Sequence, residues 1–416
     1  MERMIHKDRI IIVLTFFVFW IHPLLFTAVA NASAPPLFKV EAKAAVLLDA
    51  LSGQIIFEQN PQEAVAPASL AKLLTLYLAY DALEMGLVKP EDDVFISEKA
   101  WATQGSKMFV EVDKRVAFKK LLEGIASISG NDACVAVAEH LAGLEEVFVA
   151  RMNEKARSIG MVHSQFKNVN GLPAEDQYTT ASDIGILSYH YLNDHPEALA
   201  IHSIKEFTFG GITQHNRNGL LWLDEGIDGL KTGWIDDTAG FHLVATAKRD
   251  DQRFIAVVMG AKDQRTRENE AFKLLNYGFK NFSTIKLFDE NDVIDRVSVW
   301  KGKVDHVDLI PNEPGVVTIP LKEGQSPSIM EKIPKRVFAP VKKREKLGEV
   351  TIAMKGKLLK EVDLVAQDDV PLGHVAKRLM HQTLLSFIVP PYAGWIMVFI
   401  LFLFLIAASQ IKRKTR

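Results

Sequence analysis

Three features of this chain predict an α/β domain followed by a small β domain and an apolar tail. Strand-patterned segments stand at both ends of residues 37–282, with helix-patterned segments between them, so one sheet would be built from the two ends of that region. From 283 to 365, short β-patterned runs alternate with Gly and Pro punctuation, which predicts a separate β domain. Phe387 to Ala408 is almost wholly apolar.

Taken in order, Ala44 to Asp49, the turn Ser52-Gly53 and Gln54 to Gln59 read as a β-hairpin. A helix follows from Ser69 to about Gly86, with Leu70, Leu73, Leu74, Tyr77 and Leu78 as its apolar stripe. Val94 to Ser97 and Lys107 to Val112 read as short extended pieces around a polar loop. Phe118 to Ser127 and Asp132 to Leu141 read as apolar helices interrupted by Ser129-Gly130-Asn131. Val147 to Ile159 and Ala181 to Asn193 are further helices, separated by a loop from Asn168 to Thr180. The pattern then turns to strands: Phe207 to Phe209, Gly229 to Gly233, Phe241 to Lys248 and Arg253 to Gly260, the last two joined by a short polar turn. Glu268 to Phe279 closes the domain as a helix. In the β domain, Val316 to Ile319, Arg336 to Ala339, Glu349 to Met354 and Leu358 to Val365 read as strands.

With 416 residues, 48% of them hydrophobic and 24% charged, the chain can bury two cores. A net charge of −2 carries no footprint of a nucleic-acid partner. The single cysteine, Cys134, excludes an intramolecular disulfide and a cysteine-based metal site. Arg3, Lys7 and Arg9 precede the apolar run Ile10 to Ala30, and Ala30-Asn31-Ala32 follows, the pattern of a signal peptide over residues 1–32. An uncleaved N-terminal anchor is the alternative reading. Residues 366–387 read as an amphipathic linker helix that would lie on a membrane surface. Residues 388–411 read as a membrane anchor and 412–416 as a basic tail, with Tyr392 and Trp395 at the outer interface and Lys412, Arg413, Lys414 and Arg416 on the cytoplasmic side. The mature protein is thus expected at the cytoplasmic (inner) membrane, C-terminally anchored, with its body on the periplasmic or other extracytoplasmic face.

Ser69 and Lys72 are three residues apart at the start of a helix, where positions i and i+3 share a face. A lysine held against apolar packing loses solvation and its pKa falls, so Lys72 could take the hydroxyl proton of Ser69. The spacing alone is weak, since Ser164, Ser283, Ser298 and Ser409 also have a lysine three residues on. Ser129-Gly130-Asn131 is the only Ser-x-Asn in the chain. Read locally, Asn131 or Asp132 would cap the following helix. Read functionally, the Ser129 hydroxyl would relay a proton and the Asn131 amide would hold a substrate carbonyl. Lys231-Thr232-Gly233 is the only Lys-Thr-Gly and falls on an expected edge strand. Lys231 and Thr232 would offer donors to an anion such as a terminal carboxylate, and Gly233 would let another backbone approach closely.

The three motifs, in this order, are the set shared by penicillin-binding proteins and serine β-lactamases. From about Lys43 to Ile352 the sequence resembles the low-molecular-mass penicillin-binding proteins that are D-alanyl-D-alanine carboxypeptidases. Beyond the motifs, the resemblance rests on His215-Asn216-Arg217-Asn218-Gly219-Leu220-Leu221, Asp228-Gly229-Leu230, Ala239-Gly240-Phe241 and Thr266-Arg267-Glu268. It implies the serine β-lactamase/DD-peptidase-like transpeptidase fold, an antiparallel sheet flanked by helices. It also implies attack by Ser69 on the carbonyl between the last two D-alanines of a peptidoglycan stem pentapeptide, with release of terminal D-alanine and hydrolysis of the acyl-enzyme. Lys72 would be the general base, Ser129 part of the proton relay, and Asn131 a substrate contact. Lys231, Thr232 and Gly233, with Arg217 or Arg267, would receive the terminal carboxylate, and the backbone N–H groups of Ser69 and Trp234 would form the oxyanion hole. β-Lactams would acylate the same serine, and neither metal nor cofactor is implied. Trp234 departs from the smaller or polar residue usual after Lys-Thr-Gly, which bears on deacylation and substrate fit.

A serine β-lactamase is the nearest rival, with Glu175 the one glutamate in a suitable loop to activate water. A D,D-endopeptidase would use the same residues, and a non-catalytic β-lactam sensor or cell-wall scaffold would deacylate slowly or not at all. The sequence sets no oligomeric state.

Overall fold

The computed structural model describes residues 38–223, 225–235, 239–321 and 326–375. The signal peptide and the membrane anchor expected from sequence lie outside them. Among the described residues no helix is long and apolar enough to cross a membrane.

The strands of the first domain are β1 (Ala44–Asp49), β2 (Ile55–Gln59), β3 (Asp93–Phe95), β4 (Arg115–Ala117), β5 (Glu206–Phe209), β6 (Ile212–His215), β7 (Ile227–Trp234), β8 (Phe241–Arg249) and β9 (Gln252–Ala261). Its helices are α1 (Lys72–Glu84), α2 (Glu98–Ala102), α3 (Phe118–Ile128), α4 (Asn131–Ala142), α5 (Glu145–Ser158), α6 (Ala181–Asp194), α7 (Leu199–His202) and α8 (Gln264–Asn281). The main sheet runs β2-β1-β9-β8-β7, antiparallel throughout, so the two ends of the domain meet at the β1–β9 pairing. Both faces of its centre are covered, which is why β1, β8 and β9 read as nearly unbroken apolar runs rather than alternating ones. Val46 and Leu48 project toward Gly185 of α6, while Phe254, paired with Asp49, packs on Gly278 and Phe279 of α8. One cluster of buried side chains from β1, β9 and α1 to α7 forms the core under the first face.

The second domain comprises β10 (Phe282–Lys286), β11 (Asp295–Trp300), β12 (His306–Pro311), β13 (Val316–Pro320), β14 (Ser328–Lys332), β15 (Arg336–Phe338), β16 (Lys346–Met354) and β17 (Lys357–Ala366). Its six-stranded sheet has the order β14-β16-β17-β12-β11-β15, beside a β10–β13 ribbon. It has its own core, including Phe288, Val297, Val299, Leu309, Val350, Ile352 and Leu364. A polar latch joins the domains at the β1–β2 turn. The Thr284 hydroxyl donates to the buried Asp49 carboxylate at 2.6 Å, and the Ser52 and Thr318 hydroxyls are 2.6 Å apart.

Several expectations change. The stripe predicted along α1 is buried, but so is most of the rest of the helix: Lys72 to Tyr77, Ala79, Tyr80 and Ala82 are all buried, because this helix runs through the core instead of over it. Lys107 to Val112 is not a strand. Its amides at Met108, Phe109 and Val110 donate to the buried Asp132 carboxylate at 2.9, 2.9 and 3.3 Å, which replaces a ladder with one side chain. The same carboxylate also accepts from the first-turn amide of Ala133 at 2.9 Å, while Gly130 is the N-cap residue of α4. The polar loop before it contains α2, and β5 gains an unforeseen partner, β6, across the turn Gly210-Gly211. The linker helix expected over 366–387 does not begin at 366. Val370 and Leu372 form bridges to Val341 and Gly302, since the residue before Pro371 is steered away from helical geometry.

Candidate active site

Ser69 sits in a single 3₁₀ turn, Ala68–Ala71, and Lys72 opens α1. The Lys72 ammonium donates to Ser69 Oγ at 2.7 Å and to the backbone oxygen of Asn170 at 2.7 Å. Lys72 is fully buried, and desolvation lowers its pKa to about 8 against the opposing pull of Cys134 and Asp132. Among the described residues no carboxylate lies within ion-pair distance of it to restore the ordinary value. The pair is therefore a hydroxyl in contact with an amine whose neutral form is populated as a minor fraction near physiological pH.

The Asn168 to Leu172 loop supports this pair from behind. Gly171 has φ +80°, and a Cβ there would lie 1.7 Å from the Ala68 oxygen, so the loop backbone rests directly on the nucleophile turn. Opposite, Ser129 adopts a left-handed conformation, φ 64°, between α3 and α4. Its buried Oγ has no hydrogen-bond partner among the described residues, an orphan that a substrate or water must satisfy. Asn131 is buried beside it, and its side-chain amide donates to the Gln104 oxygen at 2.6 Å.

β7 forms the third wall, at the sheet edge. Thr232, Gly233 and Trp234 line a cavity of about 460 Å³ together with Ser69, Ser106, Ser129, Arg217, Phe241 and Arg267. A side chain at Gly233 would crowd Ala68 Cβ at 3.1 Å and the Ser69 nitrogen at 3.4 Å, so glycine is needed for strand and turn to meet. Lys231 lies beneath this wall, buried, with its pKa pushed well below the usual lysine value by desolvation and then by the charges of Lys72, Arg267 and Arg217. Arg267 of α8 is buried. One of its terminal nitrogens donates to the Arg217 oxygen at 3.0 Å, while Nε has no partner among the described residues. Two guanidinium groups and an unsatisfied donor on one side of a cavity are chemistry that suits an anion, with Glu268 3.7 Å from one terminal nitrogen of Arg267. Trp234, 53% exposed, stands at the mouth with its ring 5.9 Å from that of Phe241.

The structure thus brings Ser69, Ser129, Arg217, Thr232, Gly233, Trp234 and Arg267 together around one cavity, with Lys72 touching Ser69 from beneath. Asn131 and Lys231 stand behind the wall instead of lining it. Of the other Ser-x-x-Lys serines, Ser164 donates to Asp183 at 2.6 Å and is structural. In the sequence, Asn168-Val169-Asn170-Gly171-Leu172 resembles the carboxypeptidase family's segment, but that resemblance attaches no role to Asn170 or Gly171. His242 is not singled out, since a lone histidine in an apolar strand gives no signal. A larger cavity, about 570 Å³, is lined by Tyr80, Glu84, Lys119 and Glu197 among others and contains no nucleophile–base pair. Asp81, Glu84 and His195 are close enough to hold a metal ion, but Asp81 is already engaged by Lys155 at 2.9 Å and His195 at 2.8 Å. That group is at the opposite end of α1 from Lys72.

The fold and this serine–lysine cavity define the class of penicillin-recognising serine peptidases. Residues 28–263 match the D-alanyl-D-alanine carboxypeptidase family, and residues 282–372 match the C-terminal domain of penicillin-binding protein 5. The chain is 37% identical to the D-alanyl-D-alanine carboxypeptidase DacC of Escherichia coli, over 89% of this chain and 94% of that protein. It is 35% identical to DacF of Bacillus subtilis, over 79% and 86%. Among solved structures, penicillin-binding protein 5 of Haemophilus influenzae superposes with a TM-score of 0.75 at 37% identity, covering 82% of this chain and 99% of that one. Penicillin-binding protein D2 of Listeria monocytogenes, in an ampicillin-bound form, gives 0.54 at 27% identity, covering 59% and 99%. The chain belongs to the D-alanyl-D-alanine carboxypeptidase family.

Proposed function

We propose that this protein removes the terminal D-alanine from peptidoglycan stem pentapeptides through an acyl-enzyme on Ser69, and that β-lactams acylate the same residue. The observation that carries this is the 2.7 Å contact between Ser69 Oγ and a buried lysine whose pKa is lowered to about 8. Neutral Lys72 accepts the hydroxyl proton as Oγ attacks the carbonyl carbon. The backbone N–H groups of Ser69 and Trp234 receive the developing oxyanion. The Ser129 hydroxyl, otherwise unpartnered, passes the proton to the leaving amine, and Asn131 steadies the peptide. Water then attacks the acyl-enzyme and frees the tetrapeptide. Lys231, Thr232 and Gly233 form the back of the carboxylate subsite, with Arg217 and Arg267 at its charged end. A glutamate-activated deacylation of the β-lactamase type is disfavoured, because Glu175 is exposed and does not line the cavity. With residues 1–32 as a signal peptide and an apolar C-terminal anchor, the enzyme works on the outer face of the cytoplasmic membrane.

The test is a stem pentapeptide incubated with the chain lacking its two apolar ends, with free D-alanine measured and the β-lactam adduct mapped by mass. Free D-alanine and an adduct on the Ser69 peptide are expected. Release of cross-linked dimers alone would indicate an endopeptidase, and an adduct without turnover a sensor.

The anion subsite makes a separate prediction. Charge-assisted hydrogen bonds contribute about 1.5–3 kcal/mol, so Arg267→Gln is expected to lower kcat/KM for the pentapeptide roughly 10- to 100-fold. Amidating the peptide C-terminus should impair the wild type by a similar factor and the variant much less. Equal impairment of both proteins by amidation would place the carboxylate elsewhere.

A further inference from the structure

His242 lies in β8 opposite Gly233, at a bulge where the β8–β9 register shifts between Phe241 and Leu243. It is fully buried. The Gly260 amide donates to its Nδ1 at 2.9 Å, so Nδ1 is unprotonated and the ring proton sits on Nε2. Nε2 then donates to the Ala66 carbonyl at 3.1 Å. Ala66 precedes Pro67 and the turn that carries Ser69. The Cδ2 edge of the ring packs under Gly233, at 3.4 Å from where a Cβ would stand. One neutral imidazole therefore touches the end of β9, the entry to the nucleophile turn and the strand that bears Trp234.

We infer that His242 is a positioning residue that sets the separation between the Ser69 turn and the Gly233–Trp234 backbone, and hence the geometry of the oxyanion hole. The inference rests on the function proposed above and adds a residue to it. Donors aimed at a developing oxyanion act only within a few tenths of an ångström of the right place. The two walls that bear them are not covalently close: Ser69 and Trp234 meet only through tertiary packing, and the His242 ring contacts both walls. The ring works as a neutral donor–acceptor pair. Protonation would set an Nδ1–H against the Gly260 N–H, donor against donor. The pKa of His242 is lowered to about 4, chiefly by burial, with the charges of Arg267 on α8 and Lys43 before β1 adding to the lowering and hydrogen bonds to Ala66 and Phe241 opposing it.

The test compares His242→Gln with His242→Leu in the chain lacking its apolar ends. A fluorescent penicillin is followed by stopped flow, separating the non-covalent binding constant from the first-order acylation rate. Glutamine keeps an N–H donor within reach of Ala66, whereas leucine keeps volume only. The expected result is acylation by His242→Leu about 10²-fold slower with the binding constant unchanged, as for an ångström-scale misplacement of reacting groups. Acylation by His242→Gln is expected within about threefold of the wild type. His242→Met serves as the apolar variant if His242→Leu does not fold, with circular dichroism as the check. A wild-type rate in the apolar variant, or equal losses in the apolar and glutamine variants, overturns the inference. Absence of acylation in the wild-type protein overturns the functional reading instead, so the two failures are distinct.

Discussion

Ser69→Ala is expected to release no D-alanine and form no β-lactam adduct, and Lys72→Met to slow acylation by about 10³–10⁴-fold while leaving the protein folded. The first removes the only atom that can carry the acyl group. The second removes the base, and a positioned base typically contributes about 10²–10⁴-fold, here to a hydroxyl that is a poor nucleophile unaided. The pH dependence follows from the same group. With its pKa lowered to about 8, Lys72 is neutral in roughly one molecule in ten at pH 7. Acylation should rise about tenfold per pH unit below that value and level off above it. A lysine at its ordinary value would still be rising at pH 10. Stability moves in the same direction. Between about 8 and the unfolded value of 10.5 the folded state binds fewer protons than the unfolded state, so the contribution of this group to stability rises with pH across that window. Below it, the full cost of a buried charge is present. Lys72→Met removes that cost and orphans the Asn170 carbonyl, two effects of similar size, so its Tm should match or exceed that of the wild type. A melt at several pH values, beside stopped-flow acylation, checks both. A flat acylation profile between pH 6 and 8 would show that Lys72 is not the base.

How much of this was legible beforehand depends on the kind of interaction. The hairpin β1–β2, the pair β8–β9 and helices α3, α4 and α6 are local in origin, and their apolar period and turn residues are written in the chain. The motifs at Ser69, Ser129 and Lys231 could be read because their residue types and order are informative together. What escaped was non-local. α1 has the composition of a one-sided helix, yet most of its residues are buried because it runs through the core. The segment Lys107 to Val112 alternates like a strand, yet a carboxylate from α4 takes its amides. His242 is an isolated histidine until the fold brings Ala66 and Gly260 to its two nitrogens. Periodicity reports which face of an element is buried, but not which side chain will substitute for a strand or brace a turn.

Gly171→Ala is expected to be among the most damaging single-methyl additions in the protein, costing about 3 kcal/mol or more and slowing acylation at least tenfold. Two costs combine. At φ +80° an alanine is held in the left-handed region, a penalty of about 1–2 kcal/mol. Its Cβ would also stand 1.7 Å from the Ala68 oxygen and 2.4 Å from the Ala68 carbonyl carbon, both backbone atoms that cannot rotate away, and overpacking of this kind costs about 1–3 kcal/mol. Relief requires the Asn168 to Leu172 loop to withdraw from the nucleophile turn. Withdrawal breaks the 2.7 Å bond from Lys72 to the Asn170 oxygen, so the amine loses one of the two contacts that aim it at Ser69. For a domain of this size a 3 kcal/mol loss corresponds to roughly 6–12 °C in Tm. Gly86→Ala is the matched control. Its φ is +68°, but nothing stands within 4 Å of the added carbon, so only the conformational penalty applies and acylation should be untouched. Calorimetry on both variants with the acylation rate of each isolates the clash. If the two alanines cost the same and acylate alike, the loop does not brace the nucleophile turn.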